Sequence, residues 1–97
     1  MIKHIVMMKL HEGQEKEIHK EKLALLLEGL EGRIPEIRYW EVGRNFSDKA
    51  AAFDIVLVSG FDGLDELDVY RVHPEHVKVL DYIRQVVSTI HVVDYEV

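Results

Sequence analysis

Polar and apolar residues alternate along four segments of the chain, and a two-residue period is the signature of a β-strand with one buried face. These segments run from Ile2 to Leu10, Ile37 to Phe46, Ala51 to Phe61 and Thr89 to Val97. The third is apolar almost throughout, which is typical of a strand covered on both faces. In the first, His4 lies on the apolar face, so we predict that its side chain is buried.

A helix is predicted between the first two strands, from Gln14 to Glu31, because apolar residues recur there at helical spacing. Gly32 is predicted to end it in a left-handed conformation, and Pro35 prevents the helix from resuming. The predicted inward stripe is Leu23, Leu26, Leu27 and Leu30, widened by Ile18 and Leu25. The opposite, solvated side carries Glu17, Lys20, Glu21, Ala24, Glu28 and Glu31.

Two further helices are predicted after the third strand, and they meet at Pro74. Asp62 is the expected N-cap of the first. Proline suits the first turn of the second, since its missing N–H would have no partner there, and this helix ends near Val87. The inward positions are Leu64, Leu67 and Tyr70 in the first helix and His76, Leu80 and Ile83 in the second. A phenol and an imidazole therefore converge at the junction.

The order β-α-β-β-α-β predicts an α+β, ferredoxin-like fold with one antiparallel four-stranded sheet and helices on one of its faces. The 97 residues are expected to form a single domain spanning 1–97. The helices can cover only one face of the sheet, although the third strand is apolar on both. We therefore predict a homodimer in which a second copy of the chain covers the other face.

Composition excludes several classes of function. The net charge of −6 argues against a nucleic-acid partner, because phosphate binding needs clustered lysine and arginine. No apolar run approaches the roughly 20 residues of a membrane span. The absence of cysteine excludes disulfides, thiolate metal sites and cysteine nucleophiles. The chain begins directly with a strand, which leaves no room for a signal peptide, and we expect a cytoplasmic protein.

Four stretches together resemble the stress-responsive dimeric α/β-barrel (Dabb) family. They are the opening Met-Ile-Lys-His-Ile-Val, the segment Glu41-Val42-Gly43-Arg44-Asn45, the motif His73-Pro74-Glu75-His76 and the ending Val92-Val93-Asp94-Tyr95-Glu96-Val97. The resemblance covers essentially the whole chain. It implies a ferredoxin-like subunit whose sheet presses against that of a partner to form a barrel.

The function implied by this resemblance is less uniform. Plant members of the family include a polyketide cyclase that closes a ring by aldol condensation without a cofactor, and also stress-associated proteins. The cyclase's acid–base tyrosine and histidine correspond to Tyr70 and His76, and its first-strand histidine to His4. The cyclase also has a histidine in its third strand, where this chain carries Ile55.

The candidate catalytic residues are therefore His76 and Tyr70, and the candidate ligand-binding residues are His4 and His73. Histidine titrates near neutrality and can move a proton, and a phenol can donate a hydrogen bond to a developing enolate. The alternative is that His76 is a core histidine bonded to a backbone carbonyl and Tyr70 a wall residue.

A metal ion and an anion are two further ligands to consider from the sequence. His4, His73 and His76 are the types of residue that bind zinc, but two histidines around a proline make a weak motif, and we predict no metal and no cofactor. Arg44 and Arg84 are candidates for binding an anion, although single arginines most often form surface ion pairs.

Two functional hypotheses follow. The first is a small cofactor-free enzyme, with cyclase- or lyase-like chemistry on a small carbonyl or polyketide-like molecule in a pocket between sheet and helices. The second is a non-catalytic, stress-associated oligomeric protein or small-ligand binder.

Overall fold

All 97 residues are described by the computed structural model, in which three helices pack on one face of a four-stranded antiparallel sheet. The elements are β1 (Ile2–Leu10), α1 (Lys16–Glu28), β2 (Tyr39–Arg44), β3 (Ile55–Phe61), α2 (Leu64–Val72), α3 (Pro74–Val86) and β4 (Val87–Glu96). The strand order is β2-β3-β1-β4, and each neighbouring pair is antiparallel. The predicted ferredoxin-like fold is confirmed.

The hydrophobic core lies between the sheet and the helices. On the central strands β1 and β3, alternate side chains point into it, as the two-residue period predicts. His4 is on this inner face and is buried, which confirms the prediction for its side chain. The apolar core residues of these two strands are Ile2, Met8, Leu10, Ile55, Leu57 and Phe61.

Helix α1 differs from its prediction in length and in the side chains it buries. Leu23, Leu27 and, just beyond the helix, Leu30 are buried as expected. Ala24, expected in the solvated face, is fully buried, because a small side chain lets the helix backbone approach its neighbours. The expected stripe members Ile18, Leu25 and Leu26 are exposed.

Two predicted caps are wrong. Helix α1 ends at Glu28, and its C-cap Gly29 keeps a right-handed conformation, so Gly32 does not act as a left-handed cap. Gly13 is the residue with positive φ. Helix α2 has Gly63 as its N-cap, without a side-chain hydrogen bond. The carboxylate of Asp62 instead accepts a hydrogen bond from Nε of Arg38 at 3.0 Å.

The strands β2 and β3 are shorter than predicted, because the backbone leaves the sheet between Arg44 and Ile55. Asp54 explains this departure. Its backbone N–H donates to the carbonyl of Met8, and its buried carboxylate accepts from the N–H of Leu10 at 2.8 Å. The apolar residues 51–53 therefore belong to a loop that is anchored to the end of β1.

The sheet face away from the helices is largely apolar, with charged residues such as Lys3 and Glu41 among its side chains, and no element of the chain covers it. We call it the open face. Val93, Ile5 and Val58 lie side by side across β4, β1 and β3 in one row. Ile5 and Val58 are half-buried, and Val93 is 58% exposed.

Candidate functional site

The candidate site is built at the corner between α2 and α3. The residue before a proline is disfavoured in helical conformation, and His73 accordingly adopts an extended conformation with φ −62° and ψ 134°. Pro74 is then the first residue of α3. Nδ1 of His73 accepts a hydrogen bond from the N–H of Glu75 at 3.1 Å, so this histidine is the N-cap of the helix.

This corner brings together the rings of Tyr70 and His76, whose centroids are 4.2 Å apart. Tyr70 is fully buried and is held by two further aromatic contacts, with Phe61 at 5.1 Å and Trp40 at 5.8 Å between centroids. The Trp40 indole is fixed in turn, because its N–H donates to the carbonyl of Leu27 at 2.9 Å. The phenol ring therefore has little freedom to move.

The hydrogen bond of His76 fixes its neutral tautomer. Nδ1 lies 3.1 Å from the carbonyl oxygen of Arg71, near the end of α2. A carbonyl can only accept, so Nδ1 must carry the proton, and Nε2 keeps a lone pair when the ring is neutral. Burial lowers the pKa of His76 below its usual 6.5, an effect that the bond to Arg71 opposes and that the nearby His4 and His73 reinforce. The lone pair is therefore available at neutral pH.

The Tyr70 phenol is held in its neutral form. Burial raises its pKa well above the usual value of 10.0, because the phenolate would lose its hydration. The Tyr70 hydroxyl makes no hydrogen bond within the chain. It is also not fully enclosed by protein atoms, unlike the hydroxyl of Tyr82, which is enclosed and has no partner. The Tyr70 hydroxyl is therefore open to the space beside it and can donate a hydrogen bond to a molecule there.

His4 reaches the same place from the sheet, and its ring centroid is 6.1 Å from that of Tyr70. It lies opposite Asp94 in the pairing of β1 with β4, and its Nδ1 is hydrogen-bonded to the Asp94 carboxylate. The other oxygen of Asp94 accepts from Arg71 at 3.1 Å. A carboxylate accepts hydrogen bonds, so the proton of His4 is on Nδ1, and its Nε2 is free of protein partners.

These groups border a cavity of about 200 Å³ between the sheet and the helices. Its polar groups belong to His4, Tyr70, Arg71 and His76, and they cluster together, since the ring centroid of Tyr70 is 4.2 Å from that of His76 and 6.1 Å from that of His4. The remaining lining is apolar and consists of Val6, Met8, Leu27, Leu57, Leu80, Ile83, Ile90 and Val92. A mostly apolar cavity with a few convergent polar groups has the character of a small-molecule site.

The structure thus brings three of the four predicted site residues together. His4, Tyr70 and His76 share the cavity, whereas His73 caps α3 and is not part of the lining. The three histidines do not form a group able to hold a metal ion. Arg44 and Arg84, the candidate anion ligands, are in ion pairs with Glu21, Glu28 and Asp81.

Two residues of the site, Arg71 and Asp94, were not predicted from the sequence. Asp94 did carry a signal, since it is a charged residue at an inward position of the last strand, on the same face as Val92. The antiparallel pairing of β1 with the chain end would have placed it near His4. Nothing in the local pattern distinguishes Arg71 from an ordinary surface arginine.

Comparison with known proteins places these features in a family. The family model described as Stress Responsive A/B Barrel Domain matches residues 2–97. An uncharacterized protein of Streptomyces coelicolor is 31% identical over 97 residues, which cover 99% of each chain.

Solved structures show the same fold. The chain is similar to a dimeric protein of unknown function from Bacteroides fragilis, with a TM-score of 0.89, 34% identity, and coverage of 99% of this chain and 95% of that one. It is also similar in fold to the hydroxynitrile lyase of Passiflora edulis, with a TM-score of 0.78, 18% identity, and coverage of 97% and 90%. None of the three helices has both the length and the apolar content needed to cross a membrane.

Proposed function

Because the chain belongs to the stress responsive A/B barrel domain family, we propose that it forms a homodimer whose subunits each carry out cofactor-free acid–base chemistry on a small carbonyl compound. The observation that carries this proposal is the geometry of His76. An imidazole with its proton fixed on Nδ1, a lone pair on Nε2 and a lowered pKa is suited to act as a general base near neutral pH.

The proposed reaction begins with a proton transfer. Nε2 of His76 takes a proton from the carbon next to the substrate's carbonyl group. The electron pair of the broken C–H bond moves onto the carbonyl oxygen, which becomes an enolate. The neutral phenol of Tyr70 donates a hydrogen bond to this oxygen where the charge develops. His76 then returns the proton to the carbon. Alternatively, as the resemblance to the plant cyclase implies, the enolate carbon attacks a second carbonyl group of the substrate and closes a ring; the π electrons of that carbonyl move onto its oxygen, which takes the proton from His76.

The proposed dimer is formed through the open face. Tyr39, Met7 and Tyr95 are between 41% and 46% exposed there, and a large apolar patch on a soluble protein marks an interaction surface. The Bacteroides fragilis protein that shares this fold is described as dimeric. A second copy of the sheet would cover these side chains and give β3 the second apolar layer that its sequence predicts.

Binding without chemistry is a second candidate function. It is favoured by the lining of the cavity, in which eight of the twelve residues are aliphatic side chains or methionine. A stress-associated protein could use such a site to hold a small apolar molecule. In that case His4, Tyr70 and His76 would orient the ligand and no bond would be broken.

Hydrogen–deuterium exchange separates the two candidates. Simple ketones such as cyclohexanone and acetophenone are incubated with the protein in D₂O, and loss of the α-proton is followed by NMR. We expect exchange above the buffer rate with the native chain and none with His76→Leu. His11→Gln serves as the control, because His11 is an exposed histidine outside the cavity. Binding of the ketones without exchange would favour the second candidate.

A further inference from the structure

Arg71, which lines the cavity, is bound by two carboxylates of the chain. Arg71 donates from Nη1 to Asp68 at 3.0 Å and from Nη2 to Asp94 at 3.1 Å. Asp68 is on α2, one turn before Arg71, while Asp94 comes from β4. Both terminal nitrogens of the guanidinium are therefore engaged by carboxylates of the chain itself.

These two contacts offset the positive charge that Arg71 would otherwise present to an anionic ligand. Arg71 is the one lining residue with a permanent charge. It is outnumbered by the carboxylates of Asp68 and Asp94, so these three side chains together have a net charge of about −1. A carboxylate or phosphate entering the cavity would be repelled by both carboxylates and would compete with them for the guanidinium.

The size of the cavity limits the ligand as well. An apolar cavity of about 150 Å³ in another protein holds benzene. The cavity here, at about 200 Å³, can accept one ring with a small substituent, and its polar groups lie at a single end. A ligand with one polar group at one end of an apolar body matches this distribution.

We infer that the cavity takes a neutral, single-ring compound with one carbonyl or hydroxyl group, and that Asp68 excludes anions by keeping Arg71 occupied. The inference rests on the proposed function in so far as both use this cavity. Asp68 is the specificity-determining residue, because Asp94 also holds His4 and cannot be changed without disturbing the site.

The test compares ligands of equal size that differ in charge. Benzamide and acetophenone are neutral, benzoate is their anionic counterpart, and 2-acetonaphthone is neutral but has two rings. Each is titrated against the native protein, with binding followed through the NMR signals of His4 and His76. We expect benzamide and acetophenone to bind at least about tenfold more tightly than benzoate or 2-acetonaphthone.

Two matched variants then test the role of Asp68. Asp68→Asn frees one side of Arg71, so we expect benzoate to bind about tenfold more tightly than to the native chain, with benzamide little changed. Asp65→Asn removes an equal charge from an exposed position on the same helix and should leave both affinities unchanged. Exposed ion pairs contribute little to stability, so both variants should fold.

Equal binding of benzoate and benzamide to the native protein, tighter binding of 2-acetonaphthone, or no effect of Asp68→Asn would each overturn the inference. Failure of every neutral probe to bind would overturn it too. The proposed chemistry is judged separately, by the α-proton exchange. Selective binding of neutral single-ring compounds without α-proton exchange would contradict the proposed chemistry and support the inference. Exchange together with equal binding of benzoate and benzamide would support the chemistry and contradict the inference.

Discussion

The two faces of the sheet are both apolar, but they differ in what the chain does with them. On the inner face the helices cover β1 and β3, and buried polar groups such as Ser59 have partners within the chain; its hydroxyl donates to the carbonyl of His4. On the open face, apolar side chains such as Val93 remain accessible and no helix lies over them. The same alternation of residues along the strands therefore serves a core on one side and a prospective interface on the other.

The inner face is itself incompletely filled. At the corner between α2 and α3 the side chains leave a cavity, and three groups without protein partners lie there, the Tyr70 hydroxyl and Nε2 of His4 and of His76. Unpaired polar groups are costly in a closed core, so their concentration at an open cavity is a reason to look for a ligand there. The open face has no such cluster of unpaired polar groups, and what it offers a partner is apolar surface.

The largest effect is expected from a charge placed on the open face. Val93→Asp puts a carboxylate at the β4 end of the row formed with Ile5 and Val58, and burying it without a partner in the dimer costs several kcal/mol. We expect the dimer dissociation constant to rise by more than about a thousandfold, measured by analytical ultracentrifugation. Ile18→Asp, on the exposed side of α1, is the control and should remain dimeric. A Val93→Asp dimer of native affinity would contradict the proposed interface.

A smaller effect is expected from truncation on the inner face. Leu67 is fully buried, so Leu67→Ala should lower the free energy of unfolding by about 3 kcal/mol, through lost burial and the space left behind. Leu64 lies on the same helix but is 63% exposed, and Leu64→Ala should cost less than about 1 kcal/mol. Urea unfolding of both variants measures the difference. Equal losses of unfolding free energy would mean that Leu64 is buried together with Leu67, as the spacing along α2 predicts.

Tyr70→Phe separates packing from chemistry on the inner face. The ring keeps its contacts with Phe61 and Trp40, and the lost hydroxyl has no partner in the chain. The free energy of unfolding should therefore change by less than about 1 kcal/mol. The rate of α-proton exchange should fall about a hundredfold, as when an oxyanion-stabilising donor is removed. A large loss of stability with an unchanged rate of α-proton exchange would mean that the Tyr70 hydroxyl has a structural role only.

The alternation of residues along β1 reports burial directly, so the sequence predicted well which of its side chains face the helices. The bounds of β1 and the start of α3 at Pro74 are as predicted, since a regular two-residue period and a proline each act locally. The junction of Tyr70 with His76 follows from the same local rules. It could therefore be expected before the structure was known.

Features that depend on partners from distant parts of the chain were missed. Ile18, Leu25 and Leu26 lie at helical spacing and are exposed, whereas the packing of α1 on its neighbours buries Ala24, which was predicted in the solvated face. Asp62 has the chemistry of an N-cap, and Arg38, 24 residues away, takes its carboxylate. Tertiary contacts override local preference in each case.

The smallest expected effect is the pH dependence that His76 contributes to stability. It concerns only the inner face of the sheet, where His76 lies. Burial lowers the pKa of this histidine below its usual 6.5, whereas in the unfolded chain the ring is solvated and keeps the usual value. As the pH falls through 6.5, the unfolded state takes up a proton that the folded state does not. The unfolding free energy must therefore fall on acidification, and the stability from the neutral ring is complete only above about pH 6.5.

His76→Gln tests this dependence, because glutamine does not titrate and its amide can still donate to the Arg71 carbonyl. We expect urea unfolding between pH 7.5 and pH 5, taken as roughly one unit either side of the usual histidine value, to show a smaller loss of stability in the variant than in the native chain. Leu64→Ala changes no titratable group and should keep the native dependence. If His76→Gln lost as much stability as the native chain, the ring would not be held neutral by burial. Its role as the base in the cavity would then lose its physical support.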